Sequence, residues 1–206
     1  MSRASLTRFT VPVTGGGSAS DQGLLMPKLG YRFRVTFENF GVSTPRSELT
    51  KQVVDFSRPS VAMAEKEIHV YNSILYYAGK AKWDPTKCTF RDDASGAVSR
   101  LVGEQMQKQM DFMEQSSASS GVDYKFTTRL EMLDGGNGIH DVAVLEEWEM
   151  YGCFITKAAY GDVKYDSDDP MTIAIDIRFD NALQIPVGEA GIGIDVGRTT
   201  NDVVTG

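Results

Sequence analysis

From Val142 to Gln184 apolar and polar residues alternate with period two, the pattern of strands that bury one face. Ile173, Ile175, Ile177 and Phe179 fall on one side and Thr172, Ala174, Asp176 and Arg178 on the other, so the register of this strand is strongly specified. The strand before it carries Val142, Val144, Trp148, Met150 and Phe154 on one parity. Gly152 in its middle predicts a bulge or a close backbone contact. Asp166, Ser167, Asp168, Asp169 and Pro170 supply the polar turn between the two strands.

Upstream, Tyr31, Phe33, Val35 and Phe37 alternate with Arg32, Arg34 and Thr36, which predicts another strand. A loop follows, then a strand over residues 51–59 ended by Pro59, and a third over residues 66–71 with Ile68 and Val70 facing inward and His69 on the opposite parity. Residues 72–83 are apolar and aromatic but include Asn72, Ser73 and Gly79, and they read as a long hairpin. Such a segment is either an interaction surface or is covered by the N-terminal arm. Residues 86–93 form a short strand that hands over to a helix at Asp92 or Asp93, either of which can cap the first turn. Val98, Leu101, Val102, Met106, Met110 and Met113 recur at three- and four-residue steps, an apolar stripe that predicts a helix packed on a sheet. A polar linker over residues 116–121 ends it. Tyr124, Phe126, Thr128, Leu130 and Met132 then alternate with Lys125, Thr127, Arg129 and Glu131 in a further strand. A Gly-rich turn over residues 134–141 leads to the closing pair.

The ends lack such patterns. Residues 1–26 hold a Gly and Ser cluster, Gly15 to Ser20, and read as a flexible arm, either a tail without fixed structure or one that orders on a neighbouring subunit. Residues 185–206, with Gly188, Gly191, Gly193 and Gly197, form a C-terminal arm, which leaves residues 27–184 as one domain.

Composition narrows the function. A chain of 206 residues is long enough for one domain that buries about 70% of its unfolded surface. A net charge of −7 argues against a surface that grips nucleic acid, while it suits a wall past which phosphates slide. No apolar run approaches the ~20 residues of a membrane helix, and no signal-peptide core is present, so the expectation is a protein made and kept in a cytoplasm. Cys88 and Cys153 read as reduced core thiols. With only His69 and His140, a catalytic triad or multi-histidine metal site has almost nothing to draw on. Asp166, Asp168 and Asp169 lack the glycine and the distal glutamate of a calcium loop, and the glycines near residue 193 follow no parallel-sheet pattern. No enzyme, cofactor or metal is expected.

The order of elements resembles the tail tube protein family of contractile phage tails, whose relatives include the tube proteins of type VI secretion systems and tailocins. The features that carry it are the aromatic strand with its glycine (Trp148, Gly152), the acidic turn and the alternating closing strand. Upstream lie Pro59, the projecting hairpin with Gly79, Trp83 at a strand start and the aspartate that opens the helix. The likeness spans roughly residues 29–184. It implies a mainly β (α+β) fold: two packed antiparallel sheets in a β-barrel-like sandwich, one flanking helix, and extended N- and C-terminal arms. It also implies a homo-oligomer of hexameric rings stacked into a tube, with tail sheath and baseplate proteins as partners. DNA would pass through the lumen without specific binding, and the particle would be a virion tail assembled in the host cytoplasm. On this resemblance Asn72, Ser73, Ile74, Leu75, Tyr76, Tyr77 and Gly79 bridge rings, and Lys125, Thr127, Arg129, Glu131, Asp176 and Arg178 line the lumen. The alternatives are a ring of a type VI secretion or tailocin-type system, a baseplate or terminator adaptor on the same scaffold, and an enzyme or ligand-binding barrel.

Overall fold

The period-two segments become strands, and the longest of them, Val144–Tyr160, belongs to both layers of the fold. The computed structural model describes residues 27–43, 47–134, 142–166, 168–186 and 192. The N-terminal arm, most of the C-terminal arm and the Gly-rich turn with His140 lie outside them. The chain divides into Met1–Arg32, where Arg32 N–H donates to Leu29 O at 3.1 Å, and Phe33–Gly206, which holds every element.

In chain order these are β1 (Phe33–Glu38), α1 (Ser47–Gln52), β2 (Val53–Phe56), β3 (Val61–Val70), β4 (Ser73–Trp83), β5 (Thr86–Arg91) and α2 (Ala97–Gln109). There follow β6 (Met110–Asp111), β7 (Ser116–Ser117), α3 (Gly121–Tyr124), β8 (Phe126–Leu133), β9 (Val144–Tyr160), β10 (Thr172–Arg178) and β11 (Asn181–Pro186). The fold is mainly β, and every strand pairing is antiparallel.

One layer is β1–β8–β9 with β11 on the far side of β9, and the other is β9–β10–β5–β2. They share β9, whose first half pairs with β8 and β11 and whose second half pairs with β10. The register runs straight from Arg178↔Phe154 to Asn181↔Tyr151, so β10 and β11 are one strand interrupted at Phe179 and Asp180. There Asp180 N–H donates to Tyr151 O at 3.0 Å. Opposite the interruption Gly152 adopts φ +67°, a left-handed conformation that costs little only in glycine. This reverses the parity of β9: Trp148 and Met150 are buried before it, Cys153 and Ile155 after it. Phe154, expected on the Trp148 face, therefore faces the other way and meets Tyr124 edge-on at 6.3 Å.

The two layers close on a shared core. Phe37 of β1 lies 5.6 Å from Phe90 of β5, and Phe40 packs edge-on against Phe126 at 4.9 Å. Ile173, Ile175, Ile177 and Phe179 are all buried, as their alternation predicts. Removing each such side chain from water stabilises the fold by about 1.5–3 kcal/mol. Among the described residues the sheet does not close into a barrel: β1 and β2 are its two ends, and α1 touches both β1 and β5.

Several boundaries differ from the sequence reading. Residues 51–52 end α1 instead of starting a strand, and α3 takes Tyr124 out of the strand expected there. The main helix starts at Ala97 after Gly96 at φ +67°, although Asp93 still accepts from Val98 N–H at 3.2 Å. It ends at Gln109. The Asp111 carboxylate accepts the amides of Met113 and Glu114 at 2.9 and 3.3 Å, a local turn that competes with helix. Met110 and Met113 thus leave the apolar stripe and are exposed, while Val98, Leu101, Val102 and Gln105 form its buried face. Ile68 and Val70 do not face inward: they are 46% and 56% exposed on a hairpin that stands away from the core.

Candidate assembly surfaces

The projecting hairpin consists of β3 and β4, paired from Val61↔Trp83 to Val70↔Ser73. The sequence reading placed a whole hairpin in residues 72–83; these residues are its second strand, and β3 is the first. Val61–Ala78 are exposed throughout, on both faces. Asn72, Ser73, Ile74, Leu75, Tyr76, Tyr77 and Gly79, expected to bridge rings, occupy the turn and most of β4. Tyr71 at the tip is fully exposed and held at φ +45°, an uncommon conformation for an aromatic residue. Gly79 sits where the register shifts, and a Cβ there would lie 2.9 Å from Ala64 O, so only glycine fits the bulge.

The root of the hairpin is pinned to the core. Ser60 Oγ donates to Asp84 Oδ2 at 2.8 Å, Asp84 N–H donates to Ser60 O at 3.0 Å, and Trp83 packs on Phe179 at 5.6 Å. Just before it, Arg58 donates to Glu146, a buried carboxylate that also accepts Trp148 Nε1–H at 2.7 Å and Gln184 Nε2–H at 2.8 Å. Sequence reasoning missed this cluster, since 88 positions separate its arginine and glutamate.

The outer face of the β1–β8–β9 layer carries an ion-pair network. Arg34 pairs with Glu131, and Arg129 reaches Glu38 at 3.4 Å, Glu147 at 2.6 Å and Glu149. The Tyr151 hydroxyl donates to Glu149, which with Arg129 holds that carboxyl below its usual range. Glu147 is shifted the other way: burial and the neighbouring Glu149 and Glu131 outweigh Arg129 and raise its pKa. Two guanidinium groups among four carboxylates leave the face acidic.

The six residues expected to line a lumen are not on one surface. Thr127, Arg129 and Glu131 lie on this outer face, whereas Asp176 and Arg178 lie on the outer face of the other layer, with Asp176 in register with Lys87 and Lys157. Because the inner faces pack against each other, the outer faces look away from each other. Lys125, just before β8, pairs with Asp180 at 2.5 Å.

Among the described residues no three His, Cys, Asp or Glu side chains cluster as a metal site, and no helix is long and apolar enough to cross a membrane. Cys88 and Cys153 are buried free thiols, and desolvation pushes the Cys153 pKa up to about 11, far from a reactive thiolate. The sequence stripe also hid an apolar knob after α2, where Phe112 and Met113 are 54% and 94% exposed.

No family model and no curated protein sequence matches the chain. Solved structures do. The anti-feeding prophage tube terminating cap superposes with a TM-score of 0.57 at 13% identity, over 80% of this chain and 94% of that one. The sheath/tube terminator of an extracellular contractile injection system, PVC, gives 0.58 at 11% identity, over 79% and 99%. A chain of the PVC sheath–tube complex in the extended state gives 0.54 at 14% identity, over 84% and 100%. The likeness read from the sequence therefore holds at the level of fold: this chain has the architecture of contractile injection system tube and terminator proteins.

Proposed function

We propose that the chain is a structural subunit of the tube of a contractile phage tail, assembling into hexameric rings that stack around a channel for DNA. The observation that carries this reading is the solvated β3–β4 hairpin. A two-stranded ribbon with apolar side chains on both faces is marginal in water and gains stability when another surface covers it. The shared architecture with tube and terminator proteins supplies a role for that surface. Residues 72–79 bridge one ring to the next, the outer partners are sheath and baseplate proteins, and the particle is a virion tail built in the host cytoplasm.

The acidic face with Thr127, Arg129 and Glu131 is the lumen wall, because excess carboxylate repels phosphates and offers DNA no place to bind. Electron microscopy of the purified protein tests the assembly. Stacked rings are expected, and deletion of residues 72–79 leaves a folded subunit that no longer polymerises. Tubes of normal length from that deletion would remove the hairpin from the contact. A thiol reagent too bulky for the channel tests the wall: Thr127→Cys reacts only before assembly, Asp176→Cys before and after.

The second reading is a terminator or adaptor ring on the same scaffold, favoured by the likeness to a tube terminating cap and a sheath/tube terminator. Single closed rings that never stack at any concentration decide for it.

A further inference from the structure

We propose that the two faces of the β3–β4 hairpin are the complementary halves of one contact between copies of this chain, the lysine face of one hairpin packing on the glutamate face of the next. The inference rests on the self-assembly proposed above and specifies the chemistry of the hairpin's partner.

The register fixes which side chains share a face. Lys66 stands opposite Tyr77, Ile68 opposite Leu75 and Val70 opposite Ser73 on one side. Glu65 opposite Ala78, Glu67 opposite Tyr76 and His69 opposite Ile74 stand on the other. The extra residue at Gly79 and Lys80, both facing Ala64, turns Lys80 to the Lys66 side, where Lys82 opposite Ala62 joins it. One face thus carries three lysines and the other two glutamates with His69, and each has its own apolar centre.

No lysine lies opposite a glutamate across the strands. Among the described residues, Glu67 reaches His69 of its own face at 3.5 Å. The charges are segregated where alternation could have paired them.

Two like faces brought together would repel, lysines against lysines or glutamates against glutamates. Opposite faces attract, and their apolar centres bury each other as the hairpins stack. Such a contact is heterologous: each copy offers a different face to each neighbour, so the hairpins join side by side around one ring, and the crown they form is what reaches the adjacent ring. The charges specify partner, orientation and salt dependence, while the Ile68, Leu75 and Tyr77 side meeting the Met63, Ile74 and Tyr76 side supplies apolar burial.

The test uses the full chain in three forms: wild type, Glu65→Lys with Glu67→Lys, and Lys66→Glu with Lys80→Glu and Lys82→Glu. Each variant alone has two faces of one sign, and sedimentation is expected to show at least a tenfold loss of assembled material. Mixed in equal amounts, the two variants are expected to alternate and recover assembly, which also shows that both are folded. Recovery fades as ionic strength is raised. A variant that assembles alone as well as wild type, or a mixture that stays dissociated, overturns the contact and leaves the tube reading standing if wild type assembles. If wild type stays monomeric at every concentration the tube reading fails. That result overturns the hairpin contact as well, whereas wild-type rings that form but never stack sink the tube reading alone and leave the charge swaps to decide the contact.

Discussion

Gly152 of β9 lies directly under the Asp180 side chain: a Cβ built on it would stand 2.8 Å from the Asp180 Cγ and 3.2 Å from its Cβ. The same glycine has φ +67°, so both space and backbone conformation exclude a larger residue. Gly152→Ala is expected to destabilise the subunit by about 1–3 kcal/mol, read as a fall in the urea midpoint at constant slope. Asp180→Gly in the same chain removes the clash but not the left-handed strain, so it recovers only part of that loss. Full recovery would assign the whole effect to the clash, and none would assign it to the backbone.

Glu146 is a buried acceptor to which Arg58, the Trp148 indole and the Gln184 amide donate. Glu146→Ala leaves the buried indole without this acceptor, at a cost of about 1–3 kcal/mol, while the part-buried Gln184 amide can turn to water. Arg58→Ala removes a partner that is itself half exposed, so its effect on global stability is smaller. Because Arg58 precedes β3, it is expected to act on the root of the hairpin. Hydrogen exchange at Val61 and Ala62 rises in Arg58→Ala, while exchange at Ile175 in the core does not.

Glu104 ties the loop after β1 to α2, accepting Ser43 Oγ–H at 2.5 Å, Ser43 N–H at 2.7 Å and Val42 N–H at 2.8 Å. These bonds, the Ser43 hydroxyl foremost, hold its pKa below the usual carboxylate value. A carboxylate with a depressed native pKa contributes stability that is complete above its unfolded value, near 4.5, and is lost as pH falls through the native value. Glu104→Gln is therefore expected to be less stable than wild type at pH 7, with the difference shrinking below pH ~4.5. A difference that stays constant from pH 7 to pH 3 would show that the ionised form is not what the loop binds.

How far the sequence carried depends on whether each feature is local. Ile173, Ile175 and Ile177 announce their strand because burial of one face imposes period two, and all three are buried. Gly152 announced a break, but the parity after it depends on its φ, which the sequence does not state, so Phe154 was assigned to the wrong face. Met110 and Met113 continue the helical period, yet the Asp111 turn ends the helix first. At the hairpin, alternation of Ile68 and Val70 looks the same whether a strand lies in the core or in water. The mixed composition of residues 72–79 left open whether they form an interaction surface or lie under the N-terminal arm, and only the family resemblance pointed to the surface. The segregation of lysine and glutamate was not recognisable, because it appears only once β3 and β4 are in register with the bulge at Gly79. The residues expected to line a lumen share a parity on their own strands, but strand parity carries no information on which layer a strand joins.

Gln109, the last residue of α2, serves as a strand partner. Its amide donates to Ile155 O at 2.9 Å and accepts from Ile155 N–H at 2.9 Å, just beyond the point where β8 ends its pairing with β9 at Phe126↔Cys153. One side chain thereby covers backbone groups that would otherwise form an open sheet edge next to the core. Gln109→Ala leaves both groups without that partner and is expected to cost about 1–3 kcal/mol. Gln109→Glu keeps the acceptor for Ile155 N–H but sets a carboxylate oxygen against Ile155 O, so it is expected to be no better than alanine. The decisive measurement is hydrogen exchange at the Ile155 amide, which should accelerate in both variants, while the Ile175 amide, held between β9 and β5, stays protected. Unchanged exchange at Ile155 would mean that another group pairs this edge in solution. In assembled material, restored protection of Ile155 in Gln109→Ala would identify the edge as one that a neighbouring copy can extend.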